Sequence, residues 1–362
     1  MPNHSRFFLL PFLARRFKDA QHSRIYQALF GTPVNALISV LLLWLLLLLL
    51  PGLFDWLVFN ARIKAQSSQD CAAVAGACWA VIVKKHRLIL FGLYPFDQQW
   101  RPLLASILLI TLIVCSAMRR CWRPWLALAW LLTLAVVAVL MWGGVFGLTY
   151  VDNSRWGGLP LTLILSTAGV AFAFPLGVLL ALGRRSNLPV LRGLSIAYIE
   201  LIRGVPLISL LFMASVMLPL FLPAGFGIDK LLRAQIAIIL FAAAYIAETV
   251  RGGLQTMPKG QYEGAFSLGL AYWPTMLFVI LPQALRRVIG PLVNIFISIF
   301  KDTSLVVVIG LFDLTLAAKS AATDPDWQGF SIEIYLFIAL IYFAFCFAMS
   351  RYSRSLENHL RY

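Results

Sequence analysis

PKGQYEGAFSLGLAYWPTMLFVILP, residues 258–282, interrupts a succession of apolar segments with a short wet one and then returns to apolar sequence. Pro258 suits the first turn of a helix, where a missing N–H costs nothing, and Tyr262, Ala265, Phe266 and Gly269 recur at i, i+3, i+4 and i+7 on one face. Gly264, Ala265 and Gly269 leave this helix without bulky knobs, so another protein can approach it closely. Trp273-Pro274 is expected to end it near the membrane interface. The stretch predicts a docking helix lying on a membrane surface between two spans.

The rest of the chain supplies the membrane part of that reading. Of 362 residues, 61% are hydrophobic and 12% charged, against about 25% charged in soluble domains. Several runs reach the roughly 20 apolar residues needed to cross the hydrocarbon layer, and alternating strand patterns are missing. The expected fold is an all-α polytopic membrane protein with about eight spans, at 35–58, 102–118, 126–148, 159–182, 196–222, 232–250, 283–310 and 331–350. Gly169, Pro175 and Gly177 in the fourth span read as sites of close helix packing.

A net charge of +15 does not argue for nucleic acid, because the basic residues sit in short clusters beside apolar runs. With the N-terminus cytoplasmic, the inner segments hold 18 Lys and Arg and the outer ones 9, of which 6 lie in the long loop 59–101. The positive-inside bias therefore places both termini in the cytoplasm. Residues 1–34 are expected to form a cytoplasmic segment without a cleavable signal peptide: Arg15-Arg16 and Lys18 accompany only a short apolar patch at 7–13, and no small-residue cleavage site is evident before the first long span. The polar, glycine-bearing break at 151–158 separates a three-span block, 35–150, from a five-span block, 151–362.

Cys71 and Cys78 lie in the long outer loop, where an oxidising periplasm permits a disulfide and His86 alone stands nearby as a further metal ligand. Two small buried thiols are the other reading. His4, His22, His86 and His359 all fall outside the spans, which argues against a haem or an intramembrane metal. There is no GxxxxGK[ST] phosphate loop, so no catalytic residue, metal or cofactor is assigned to this chain, and any ATP hydrolysis belongs to a partner.

Two copies of Glu-x-x-Arg-Gly, Glu200 to Gly204 and Glu248 to Gly252, place each Glu and Arg on one helix face. Two readings stand: local ion pairs at the interface, or exchanged partners, Glu200 with Arg251 and Glu248 with Arg203, forming an inner gate or touching a zwitterionic substrate. Lys301-Asp302-Thr303-Ser304 breaks the seventh apolar run, as an outer-face turn or as part of a pathway. Tyr245 and Lys301 join Glu200, Arg203, Glu248 and Arg251 as candidate pathway residues.

With these residues in view, the region from about Trp156 to Tyr362 resembles the inner-membrane permease subunits of bacterial ABC importers, specifically the polar amino-acid uptake family. Glu263, Gly264, Ala265 and Gly269, then Val279, Leu281 and Pro282, look like that family's E-A-A-x-x-x-G…I-x-L-P loop, with Gly264 for Ala and Val279 for Ile as departures. GGLPLTLILS at Gly157, YIELIRGVPL at Tyr198, AYIAETVRGG at Ala244 and FKDTSLVVVIGLFDL at Phe300 are similar to the same branch. The extra N-terminal spans, with GACW at Gly76 and YPFDQQWRP at Tyr94, look like the longer permease of general L-amino-acid importers.

The resemblance implies a five-helix type I importer core that docks Glu263, Gly264, Ala265, Gly269, Leu281 and Pro282 against an ABC ATPase dimer, which uses ATP and Mg. It further implies a second, different permease subunit, a periplasmic amino-acid-binding protein, surrounding lipid and no nucleic acid. The expected function is ATP-driven import of L-amino acids by alternating access across a bacterial inner membrane. An ion-coupled secondary amino-acid transporter is the alternative, although no inverted halves are evident; a membrane-embedded enzyme lacks an acid, base or metal cluster.

Overall fold

The computed structural model describes residues 24–73, 75–221, 223 and 227–360; residues 1–23 of the expected N-terminal segment, with Arg15, Arg16 and Lys18, lie outside them. The chain divides into two compact units at Ala80. In the first, α1 is Arg24–Phe30 and α2 is Pro33–Phe54, capped by Thr32, whose hydroxyl accepts from Asn35 N–H. No side chain of α2 is buried in the unit, so lipid or another subunit must cover its leucine run. After a π-turn at Asp55–Phe59 the chain forms α3, Ser68–Ala72, closed by a reciprocal cap between Ser67 and Asp70. Backbone N–H groups of Ser67 and Gln66 hold the Asp70 carboxyl below its ordinary value. Cys71 and Cys78 are joined as a disulfide with Cα atoms 5.7 Å apart, and Arg62 bonds to Ala77 and Ala80 across the same loop.

The second unit begins in α4, Ala80–Phe91, and continues through α5, Trp100–Ala117, and α6, Trp125–Trp142. Then come α7, Gly158–Arg184, α8, Pro189–Gly204, α9, Leu207–Phe221, and α10, Lys230–Gln255. The chain ends with α11, Lys259–Ser267, α12 at 272–287, α13, Ile289–Asp302, α14, Leu314–Ala322, and α15, Ser331–Leu360. Among the described residues seven helices are long and apolar enough to span a membrane, or eight if α8 and α9 count as one broken span.

The core of this unit is the seam between α7 and α10, where small residues bring two backbones together. Gly177 faces Ile246 and Gly169 faces Ile238; a Cβ at Gly177 would lie 2.7 Å from an Ile246 methyl and 2.9 Å from Ala243 O. Ala242, Ala243 and Ala247 are buried on the same seam. At the N-terminal end of α7, Gly158 N–H donates to Phe312 O at 2.8 Å and Thr162 Oγ1 accepts from Leu314 N–H at 3.2 Å. Asp313 caps α14 through Thr315 and Leu316 N–H, and burial pushes its carboxyl up to about 6. The YPFDQQWRP segment forms a lock: buried Arg101 donates to Leu140 O and Thr149 O, while Tyr94 OH donates to Met141 O.

Four expectations change. The fifth span, expected over 196–222, is bent by 102° between α8 and α9. Val205-Pro206 is the cause: Pro206 has no N–H and holds Val205 extended, at φ −110° and ψ 132°. The seventh run does not form one helix from 283 to 310, because Val288 (φ −111°, ψ 15°) separates α12 from α13. Lys301 to Ser304 is no outer turn between two helices; α13 tightens there into a 3-10 helix, Thr303–Ile309, and the chain turns only at left-handed Gly310. Finally, Trp273-Pro274 does not end the docking helix, which stops at Ser267, and Pro274 instead belongs to the first turn of α12.

Replacing Gly177 with Val should cost about 1–3 kcal/mol of stability by overpacking the α7–α10 seam. Gly252→Ala, where a Cβ meets nothing within 4 Å, should be neutral; apparent melting temperatures in detergent compare the two. A second test concerns Lys85 on α4 and Asp324 after α14, which form an ion pair that holds the Asp324 carboxyl below its ordinary value. The folded value is depressed, so this stabilisation is present above the unfolded value, about 4, and is lost as pH falls through the folded value. Lys85→Met should therefore flatten the loss of thermal stability below about pH 4.

Candidate functional site

The short helix α11 owes its ending to backbone geometry. Gly269 takes φ +78°, Gly269 N–H bonds to Phe266 O, and Leu270 N–H reaches back to Ala265 O. This paired arrangement satisfies two carbonyls at the helix end and requires a residue at ease in the left-handed region. Nothing lies within 4 Å of a Cβ built at Gly264 or Gly269, so the surface beside them is open. Ala265 is buried against the unit, Tyr262 is partly buried beneath the Arg185 guanidinium, and Glu263 is exposed. Phe266, Leu268, Trp273 and Phe278 are exposed around it and make an apolar face.

One bond fixes α11 to α12, and a second ties α12 to the end of α10. Gln283 Nε2 donates to Gln261 Oε1 at 2.9 Å, and Arg287 Nη1 donates to Thr256 O just beyond α10. Pro282 sits near the start of the last segment of α12 and has no N–H for Phe278 O. The preceding turn is accordingly a π-turn, Thr275–Ile280, with Leu281 N–H bonded to Met276 O. Leu281 is partly buried against the core and Pro282 is exposed.

A charge cluster occupies the same end of α10. Glu248 takes Arg251 through both carboxylate oxygens, with Nε at 2.9 Å, and also faces Arg184 Nη1 at 3.3 Å and Arg203 Nη1 at 3.9 Å. Glu200, whose side chain is 55% exposed, pairs with Arg184 at 2.8 Å rather than with Arg251. The expected exchange of partners is therefore corrected on one side: Glu248 meets Arg203, but Glu200 does not hold Arg251. The reason is Arg184, which the chain delivers from the end of α7 between the two carboxylates. Sequence reasoning missed it because it belongs to neither Glu-x-x-Arg repeat; the available signal was a basic residue in the last turn of a span. Arg203 stacks its guanidinium 5.7 Å from the Tyr245 ring, which brings Tyr245 into the cluster.

Three guanidiniums thus converge on two carboxylates, and Glu248 is the hub. Arg203 is the loosest member, at the longest distance and with 34% of its side chain exposed. Lys301, at the end of α13, makes no ion pair within 4 Å among the described residues and stands apart from this cluster. No three His, Cys, Asp or Glu among the described residues are placed to hold a metal ion.

Comparison with known proteins fits this geometry. Residues 173–362 match the family described as binding-protein-dependent transport system inner membrane component. The inner membrane amino-acid ABC transporter permease protein YhdY of Escherichia coli is 51% identical, covering 92% of this chain and 91% of the relative. The glutamate/glutamine/aspartate/asparagine transport system permease protein BztC of Rhodobacter capsulatus is 36% identical, with 92% of each chain covered. The probable glutamine ABC transporter permease protein GlnP of Bacillus subtilis is 36% identical over 56% of this chain but 91% of its own length. A chain from a crystal structure of an amino acid ABC transporter with histidines superimposes with a TM-score of 0.50 at 33% identity, covering 56% of this chain and 92% of that one. Nothing among these likenesses supports the ion-coupled secondary transporter. An all-α chain of seven or eight spans that matches such relatives almost end to end belongs to the family of binding-protein-dependent transport system inner membrane components, the permease subunits of ABC transporters, which work with partner subunits and are not themselves catalytic.

Proposed function

We propose that this chain is the permease subunit of an ATP-driven importer of L-amino acids, paired with a second, different permease. An ABC ATPase dimer binds ATP and Mg and docks on α11, and a periplasmic amino-acid-binding protein delivers substrate from the other side. The substrate class follows from relatives whose names specify amino acids. Both termini lie in the cytoplasm, which puts α11 and the charge cluster on the ATPase side.

The observation that carries this reading is the termination of α11. A short exposed helix with an open, knob-free flank ends in a left-handed glycine and is tied by one hydrogen bond to α12, which is bonded in turn to the end of α10. Such a helix can take a push from a partner and pass it through α12 toward α10. Glu263 and Gly264 lie on the exposed side, Ala265 anchors the helix inward, and Leu281-Pro282 forms the return into the membrane. Glu248, with Arg184, Arg203 and Arg251, serves as the inner gate: opening it means separating one carboxylate from three guanidiniums, a cost set against the work of ATP-driven closure. Glu200 and Tyr245 hold Arg184 and Arg203 in register with it.

Proteoliposomes containing both permeases, the ATPases and the binding protein should take up amino acids only with ATP and Mg, insensitive to a proton uncoupler; uncoupler-sensitive uptake without ATP overturns the proposal. In the same vesicles Gly269→Ala should already uncouple hydrolysis from uptake, since the left-handed backbone costs a Cβ-bearing residue about 1 kcal/mol even with open space around it. Gly269→Asn should be milder. Glu248→Gln should lower uptake by about tenfold or more, because three guanidiniums lose their common partner, while the exposed Glu200→Gln should stay within about threefold. Equal losses at the two positions would refute the hub assignment.

A further inference from the structure

Among the described residues, glycines aside, Phe146 alone takes a positive φ, +53°, and it is 91% exposed. A bulky residue in the left-handed region is strained and persists only where its surroundings over-determine it. Gly143, Gly144 and Gly147 around it also have positive φ, so a fourth glycine at 146 would complete the turn without strain. The chain carries an aromatic ring there instead, and the ring is what the turn presents.

The stem of the turn is braced. Val151 N–H donates to Trp142 O at 2.7 Å, Gly144 N–H to Leu148 O at 2.8 Å and Leu148 N–H to Val145 O at 3.0 Å, so these backbone groups need no water. Buried Arg101 ties Leu140 O on one side of the stem to Thr149 O on the other. The fit is close: a Cβ at Gly143 would lie 2.5 Å from Arg101 Nη2 and 2.2 Å from Thr149 O. The tip is open by contrast, with nothing within 4 Å of a Cβ at Gly147.

Position decides what the ring meets. The turn joins α6 to the start of α7, whose other end carries Arg184, so it stands at the membrane face opposite the charge cluster. Trp142 in the last turn of α6 and Trp100 at the start of α5 are both exposed at this level, as aromatic residues are at a lipid–water boundary. Leu128, Leu131, Ala135 and Trp142 form one exposed apolar face of α6, and the chain runs on from it into exposed Val145 and Phe146. Phenylalanine has no polar atom, which makes its ring costly in water and suits it to the boundary between headgroups and acyl chains. We infer that the turn 143–148 is a lipid anchor: Phe146, with Val145, inserts into the headgroup–acyl boundary of the bilayer and fixes the depth of the α6–α7 junction.

The test places a nitroxide on a single new cysteine in the chain, purified with its partner subunits and reconstituted in phosphatidylethanolamine–phosphatidylglycerol vesicles, with Cys115→Ala, Cys121→Ala and Cys346→Ala as background. Collisions with oxygen, which concentrates in lipid, are compared with collisions with a water-soluble nickel chelate. At Phe146→Cys the oxygen-to-nickel ratio should be several-fold above that at Ser154→Cys, an exposed position beyond the turn, and similar to that at Trp142→Cys. Val145→Cys leaves Phe146 in place and should give the same high ratio. Adding Phe146→Gly, which suits the backbone and removes the ring, should move the Val145 label several-fold toward nickel. A ratio at 145 and 146 equal to that at Ser154 overturns the anchor, as does a Val145 label that Phe146→Gly leaves unmoved. Few collisions with either reagent at both positions also overturn it, because another subunit rather than lipid then covers the tip.

Discussion

Backbone N–H and C=O groups inside a hydrocarbon layer have no water to bond to, so each break in a helical ladder must be repaired by the protein itself. Three prolines set the breaks here, and the functional features gather around the repairs. Pro206 forces Val205 out of the helical region and turns the chain by 102°, which carries the Glu200–Arg203 end of α8 toward α10. Pro219 leaves carbonyls that draw Arg233 onto α9. Pro282 produces the π-turn through which the chain re-enters the core after α11.

The tight seam between α7 and α10 gives these departures a fixed frame. Glycine and alanine on both helices allow an approach that larger side chains would block, and Arg184 and Glu248 are carried on the same two helices to the end of that seam. The cluster therefore joins the ends of α7, α8 and α10 by charge where the helices above are joined by packing. Next to it, Arg287 and Gln283 connect α12 to the end of α10 and to α11. A displacement of α11 has a short bonded route to the helix that carries Glu248.

Much of this was legible before any fold was known. Apolar run lengths located most of the spans, since crossing a bilayer demands a fixed length of apolar helix, but not the bend in the fifth or the break in the seventh. The i, i+3, i+4, i+7 pattern located α11, and its glycine is now explained by a φ of +78° that relieves the helix end. What sequence spacing could not supply was the partner of each charge. Glu200 and Glu248 sit in matching repeats, yet they have unequal partners because Arg184 arrives from a third helix. Likewise, an apolar run alone does not reveal whether a proline within it falls in the first turn of a helix, bends the chain or follows a π-turn; at Pro274, Pro206 and Pro219 the same residue type has three outcomes.

The sequence by itself determined the all-α membrane class, the apolar runs and the short wet helix between two of them, because those depend on hydrophobic run length, helical periodicity and the chemistry of single residues. Only the tertiary structure decided which guanidinium meets which carboxylate, how far α8 and α9 bend apart and that Arg233 bonds to the freed carbonyls of α9. Those outcomes depend on distances between helices far apart in the chain, and such distances are set by the small side chains of the α7–α10 seam and by the places where proline leaves a carbonyl unbonded.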